Sequence, residues 1–163
     1  MATHPQYKIE WQPTVKQGLF LKCPAHEKFF GGQAGPGKTE ALIMDSIGDN
    51  RVGAFVNPNW SALVLRRTFP ELDKTIIWRT RQRLYGKGPK YDAVKHLFTF
   101  PSGARIQYGH LKNDEDVVKH QGHEYNKICL DELTHFSERM YLYLMSRNRT
   151  TDHNLFCQMS SGS

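Results

Sequence analysis

Gly31-Gly32-Gln33-Ala34-Gly35-Pro36-Gly37-Lys38-Thr39-Glu40 is the stretch on which the reading of the chain turns. From Gly32 to Thr39 it completes the spacing G-x-x-x-x-G-K-[ST], directly after the apolar pair Phe29-Phe30. A polyphosphate needs many donors aimed at one small volume, and glycine-rich backbone supplies N–H groups there without side-chain bulk. The helix that follows adds its positive N-terminal end. In such a loop Gly32, Gln33, Ala34, Gly35, Pro36 and Gly37 wrap the phosphates and Glu40 stands in the helix's first turn. Lys38 reaches the β- and γ-phosphates, and the Thr39 hydroxyl completes a Mg²⁺ shell. The flanks agree: Lys28-Phe29-Phe30 can end a short strand, and residues 39–47 favour helix with Gly48 as the stop. The expected ligands are a nucleoside triphosphate and Mg²⁺.

The rest of the composition bounds the setting. A chain of 163 residues suits one α/β domain with a real core. With 39% hydrophobic and 23% charged residues it is globular, not disordered. No apolar run approaches the roughly 18 residues of a membrane helix, and Met1-Ala2-Thr3-His4-Pro5 lacks a secretory pattern. Cys23, Cys129 and Cys157 are scattered with no C-x-x-C, which favours buried thiols over a metal or disulfide role. The net charge of +6 favours a polyanionic partner.

Upstream of the loop, residues 11–20 read as a turn followed by a short amphipathic piece. A glutamine amide donates and accepts at once, so it can read the two-faced edge of adenine. Gln17 is assigned that role, with Gln12 in reserve, against the alternative of a plain surface glutamine. Ala62-Leu63-Val64-Leu65 reads as a buried parallel strand ending in Arg66-Arg67-Thr68. Ligands sit at that edge of open α/β sheets, so Arg66 or Arg67 can neutralise γ-phosphate charge in its own subunit or a neighbour's. The alternative is a surface pair on DNA phosphate or solvent. Residues 70–85 show helical spacing, and from Arg66 to Lys95 nine Lys/Arg stand against three acids. That imbalance fits either a solvated face or nucleic-acid backbone contact. Period-two alternation over 95–100 and 104–109 around Pro101-Ser102-Gly103 gives a β-hairpin, and Asp114-Glu115-Asp116 opens a helix.

Tyr125 to Leu130 is an apolar strand that delivers Asp131 and Glu132 to the same sheet edge. Asp131 can hold Mg²⁺ through its water shell, and Glu132 can polarise the water that attacks the γ-phosphate. A further helix follows His135, and Leu155 to Met159 reads as a last strand. It ends in Ser160-Ser161-Gly162-Ser163, whose hydroxyls would face the nucleotide and sense its γ-phosphate. The alternative is a polar tail. His110, His120 and His123 lack a ligand spacing with supporting acids and read as structural or surface residues.

Three motifs stand in order: the phosphate loop, a strand ending Asp-Glu, and a strand ending in small hydroxyl residues. The wording is specific too, with Pro13-x-x-Lys16-Gln17-x-x-Phe20, Leu65-Arg66-Arg67-Thr68, Gln121-Gly122-His123-Glu124-Tyr125 and Leu130-Asp131-Glu132-Leu133-Thr134-His135-Phe136 around them. From about Trp11 to Ser163 this resembles the N-terminal ATPase domain of a tailed-bacteriophage terminase large subunit. The resemblance implies an α/β, additional-strand (RecA-like) P-loop NTPase fold: a mostly parallel sheet flanked by helices, with the hairpin inserted. It implies a motor that hydrolyses ATP to drive double-stranded DNA into a prohead, with Ser160, Ser161 and Gly162 as the coupling motif. It also implies a portal protein, a small terminase subunit and a homo-oligomeric ring as partners, no membrane, and the host cytoplasm as location. On this reading residues 1–30 are a lead-in with the adenine-reading segment. Residues 31–163 are the core, cut short of its last strand, leaving the first strand's outer edge bare. The reading expects no nuclease domain here and no cutting by these residues. Two alternatives remain open: a helicase or recombinase-like ATPase, and a nucleotide-binding assembly module that does not hydrolyse ATP alone.

Overall fold

The computed structural model describes residues 9–32, 35 and 37–163. Gln33, Ala34 and Pro36 of the phosphate loop lie outside the described residues. Helix α1 (Val15–Lys22) opens the described chain, its first turn closed by a reciprocal cap between Thr14 and Gln17. Strand β1 (Glu27–Phe30) runs into the loop and α2 (Gly37–Ile47) leaves it. Gly48 stops α2 at φ +78°, where Gly48 N–H returns to Met44 O at 3.0 Å. The rest of the sheet comes from β2 (Ser61–Arg66), β3 (Lys90–Asp92), β4 (Leu97–Thr99), β5 (Arg105–His110), β6 (Lys127–Asp131) and β7 (Gln158–Gly162).

The seven strands lie in the order β1-β7-β6-β2-β5-β4-β3. The first five in that order are parallel, and β4 and β3 are antiparallel. Parallel strands are buried on both faces, and β2 shows it. Ala62 and Val64 pack in one cluster with α2, Trp60 and Ile76, while Leu63 and Leu65 pack in another with Leu130, Met140 and Leu144. The first cluster lies under α2 and under α3 (Phe69–Leu72) and α4 (Trp78–Leu84); the second lies under α5 (Glu138–Arg147). The result is a three-layer α/β sandwich with β1 at one edge, paired only with β7 among the described strands.

The expected hairpin forms, with Leu97 opposite Gln107 and Thr99 opposite Arg105. Three features differ from the sequence reading. The stretch 70–85 is not one uniform helix: α3 passes through a π-helical stretch, Asp73–Ile77, before α4. Just beyond that stretch the Thr80 hydroxyl turns back to Ile76 O at 2.7 Å, satisfying a polar group in a buried position. The short β3 has no signal of its own in the sequence, because Lys90, Tyr91 and Asp92 gain their pairing only from β4. The last strand starts and ends three residues later than the sequence suggests, so Ser160 and Ser161 lie inside β7, buried, instead of following it. Serines suggest a strand end because a buried hydroxyl needs a partner; here Ser160 has one in Asp45.

Candidate active site

The C-terminal ends of β1, β7, β6 and β2 converge. Phe30 pairs with Gly162, Gly162 with Asp131, and β6 pairs with β2, which ends at Arg66. The chain turns from β1 through Gly31 and Gly32, the latter at φ +143°, which a side chain rarely adopts. Gly37 then starts α2, so Lys38 and Thr39 stand in the first turn of a helix whose positive end faces the loop.

Lys38 Nζ donates to Gly32 O at 2.6 Å, which folds its side chain back across the loop. Thr39 Oγ1 lies 3.5 Å from Asp131 Oδ1, 92 residues away in sequence. Asp131 is buried, and its Oδ2 is enclosed with no hydrogen-bond partner among the described residues. Burial raises the Asp131 carboxyl above its ordinary pKa; Arg66 opposes that rise and the neighbouring Glu132 charge adds to it. Asp131 Oδ1 beside the threonine hydroxyl is a hard-oxygen pair, and with Oδ2 of the same carboxylate left without a hydrogen bond it fits Mg²⁺. Among the described residues no group of three or more His, Cys, Asp and Glu is arranged as a metal cage.

Glu132 departs from the strand into the left-handed region, φ 58° and ψ 59°. A non-glycine residue held there costs on the order of 1–3 kcal/mol, and such strain gathers at functional sites. The turn swings its carboxylate out of the sheet toward Arg66, whose Nη2 lies 3.7 Å from Glu132 Oε1. Arg66 Nε stands 3.5 Å from Asp131 Oδ2, and its Nη1 donates to Thr75 Oγ1 at 2.8 Å. Thr75 belongs to the π-helical stretch and donates in turn to Glu71 O. Arg66 is thus shared between the two acids and the helix opposite. Arg67 turns away and donates to His135 O.

The remaining sequence-selected residues are placed as follows. Gln17 is buried against the base of the loop, its Nε2 donating to Gly37 O at 2.8 Å and its Oε1 accepting from Thr14 N at 2.9 Å. Glu40 pairs with Arg83 of α4 at 2.7 Å. Gly162 sits close to the helix: a Cβ there would meet Leu42 Cδ1 at 3.3 Å and Lys38 Cβ at 3.7 Å. Ser161 Oγ lies 3.4 Å from Lys28 O. The Ser160 hydroxyl does not join the others at the loop; it donates to Asp45 on the third turn of α2. Sequence reasoning passed over Asp45, Lys28, Lys127, Thr75 and Arg83. The available signal was a charged residue in an otherwise inward-facing position, at Lys28 and Lys127 in strands and Asp45 among the apolar residues of α2.

The family model for the terminase large subunit, T4likevirus-type, N-terminal region matches residues 69–156, more than half of the chain. The chain belongs to that family. The matched region includes Asp131 and Glu132 and begins after the phosphate loop. No curated protein sequence matches. Among solved structures, the large terminase of a thermophilic bacteriophage superposes with a TM-score of 0.70 at 15% identity, over 93% of this chain and 39% of that one. The same terminase in complex with ATP-gamma-S gives 0.64 at 16% identity, over 93% of this chain and 38% of that one. The large terminase ATPase domain of a Thermus phage gives 0.60 at 12% identity, covering 94% of this chain and 66% of that one. At such identities the likeness is one of fold. The chain spans about two fifths of the length of the thermophilic phage's large terminase.

Proposed function

We propose that this terminase region is the ATP-hydrolysing part of a phage DNA-packaging motor. The observation that carries the reading is the meeting of Thr39 and Asp131 at the foot of the loop, with Glu132 swung out beside them. Support comes from solved terminases of the same fold, one in complex with ADP and one with ATP-gamma-S.

Backbone N–H groups of the loop and the α2 N-terminus hold the phosphates, and Lys38 exchanges Gly32 O for phosphate oxygen. Thr39 and Asp131 would hold Mg²⁺, which when bound supplies charge neutralisation on the phosphates. Glu132 takes a proton from the attacking water, whose oxygen bonds the γ-phosphorus in line as the bond to the β–γ bridging oxygen breaks and ADP leaves with that oxygen. Arg66, released from Glu132, neutralises charge that develops on the γ-phosphoryl oxygens. Arg67 is the second candidate for that duty. Gln17 is assigned to the adenine base, for which its amide would exchange its bonds to Gly37 O and Thr14 N, and Gln33, Ala34, Gly35 and Pro36 are assigned to the phosphate loop. Coupling to DNA movement is assigned to β7, with Ser160, Ser161 and Gly162 between the loop and the strand bearing the acids.

The proposed partner is double-stranded DNA, for which the basic run around α4 supplies a surface; a portal protein, a small terminase subunit and ring assembly are proposed by resemblance. We assign no DNA cutting to these residues. Among the described residues no helix is long and apolar enough to cross a membrane. The test is ATP turnover by the 163-residue chain with and without double-stranded DNA. Turnover that DNA raises supports the motor reading. Nucleotide binding without turnover in either condition would replace it with the assembly-module reading.

A further inference from the structure

The sheet face beneath α2 is built in three rows. Nearest the strand ends, Phe30, Gly162 and Asp131 lie side by side; one pleat repeat below are Lys28, Ser160 and Cys129; one more below are Gln158 and Lys127. Alternate residues of a strand leave by the same face, so Lys127 stands two repeats beneath Asp131 and Ser160 one beneath Gly162. Asp45 lies seven residues along α2 from Lys38, on the same side of the helix, and reaches into the lower rows. It accepts from Lys28 Nζ at 2.8 Å, from Lys127 Nζ at 3.0 Å and from the Ser160 hydroxyl. Lys127 also donates to Gln158 Oε1, and Lys28 Nζ rests 4.5 Å over the Phe20 ring. Every polar member is buried, from 7% exposed at Lys28 to 0% at Ser160.

One carboxylate therefore ties together four of the elements that make the nucleotide site. β1 runs into the loop, α2 leaves it with Lys38 and Thr39, β6 carries Asp131 and Glu132, and β7 lays Gly162 beside Lys38. Apolar side chains would fill this volume at a smaller desolvation cost. A charged hub differs from them in being directional: its bonds are satisfied at one height of α2 over the sheet.

We propose that Asp45 is a positioning residue which, through Lys28, Lys127 and Ser160, sets Thr39 against Asp131 and so the geometry of the metal–nucleotide complex. This rests on the nucleotide reading given above. It also gives Ser160 a role in coupling that acts through α2 instead of through direct contact with nucleotide.

The test measures binding of a fluorescent ATP analogue, mant-ATP, with and without Mg²⁺, to the 163-residue chain and two variants. Ser160→Ala removes one tie with little change in volume. The triple variant Lys28→Met, Asp45→Leu, Lys127→Met replaces the hub with apolar packing. The loop still binds phosphate in both, so metal-free affinity stays within about threefold, while the gain in affinity conferred by Mg²⁺ falls about tenfold, an ordinary site-to-site coupling. A gain from Mg²⁺ equal to that of the unaltered chain in Ser160→Ala overturns the proposal, and the same result in the triple variant does so independently. If the unaltered chain binds no mant-ATP, the nucleotide reading itself falls and this proposal with it.

Discussion

Replacing Asp45 with Ala removes the only carboxylate among the described residues that pairs with Lys28 and Lys127, which lie 2.8 and 3.0 Å from it. Both ammonium groups stay in place, almost wholly buried, with Gln158 beside Lys127 and the Phe20 ring beside Lys28. Breaking a buried pair by taking one partner costs about 3–5 kcal/mol, because an uncompensated charge is left inside. For a chain of this size each kcal/mol moves the melting midpoint by about 2–4 °C, so the expected drop is about 6–20 °C. The triple apolar variant removes the charges together and is expected to match the unaltered chain or exceed it by about 1–4 kcal/mol. The pH dependence has a definite sign. Burial pushes the Asp45 carboxyl up, but Lys127 and Lys28 outweigh it and hold the pKa below the ordinary value of 3.8. A depressed carboxylate stabilises above its unfolded pKa and loses that contribution as pH falls through the folded one. The Asp45→Ala chain therefore shows a shallower acid limb below about pH 4. Urea and thermal unfolding followed by circular dichroism read both effects. A loss under about 1 kcal/mol in Asp45→Ala, at unchanged denaturant slope, would refute the buried-hub reasoning.

Burial, with His123 and Lys119 nearby, lowers the His120 pKa to about 4 from 6.5, so its protonation favours the unfolded chain. Stability is then full above about pH 6.5 and falls by about 3 kcal/mol on the way to pH 4; His120→Gln should flatten that slope in pH-dependent urea unfolding. Arg66→Ala removes the attraction that offsets burial at Asp131 and the group assigned to the developing phosphoryl charge. Single-turnover kinetics should show hydrolysis down by about 10³-fold, with mant-ATP still bound, and a loss under tenfold would move the role to Arg67. Arg83→Ala breaks a partly exposed pair with Glu40, and thermal unfolding should register less than about 1 kcal/mol.

Much of the site was legible because its chemistry is local in sequence. The loop needs consecutive glycines and a lysine, and Asp131-Glu132 needs an apolar strand directly before it, so both could be read from short windows. The hairpin was legible for the same reason, since period-two alternation around Pro101-Ser102-Gly103 is complete within one stretch. What escaped reading depends on partners far away in the chain. Ser160 is satisfied inside a buried strand by Asp45, 115 residues earlier, whose carboxylate accepts its hydrogen bond. Lys28 and Lys127 stand at inward-facing strand positions, but nothing near them in sequence names the Asp45 carboxylate that pairs with both. Glu132 gave no sign of its left-handed turn, which follows from the chain leaving the sheet beside Arg66. Gln17 was read from its amide chemistry alone, and the cap it forms with Thr14 shows what else that amide does.

The central claim is that the loop and the Asp131-Glu132 strand end form one hydrolytic site. The most direct measurement is ATP turnover by the 163-residue chain beside its Glu132→Gln variant, with mant-ATP affinity measured on both. The account predicts retained affinity and turnover lowered by at least about 10²-fold, the loss of a general base. Equal turnover in the two proteins at equal affinity would contradict it.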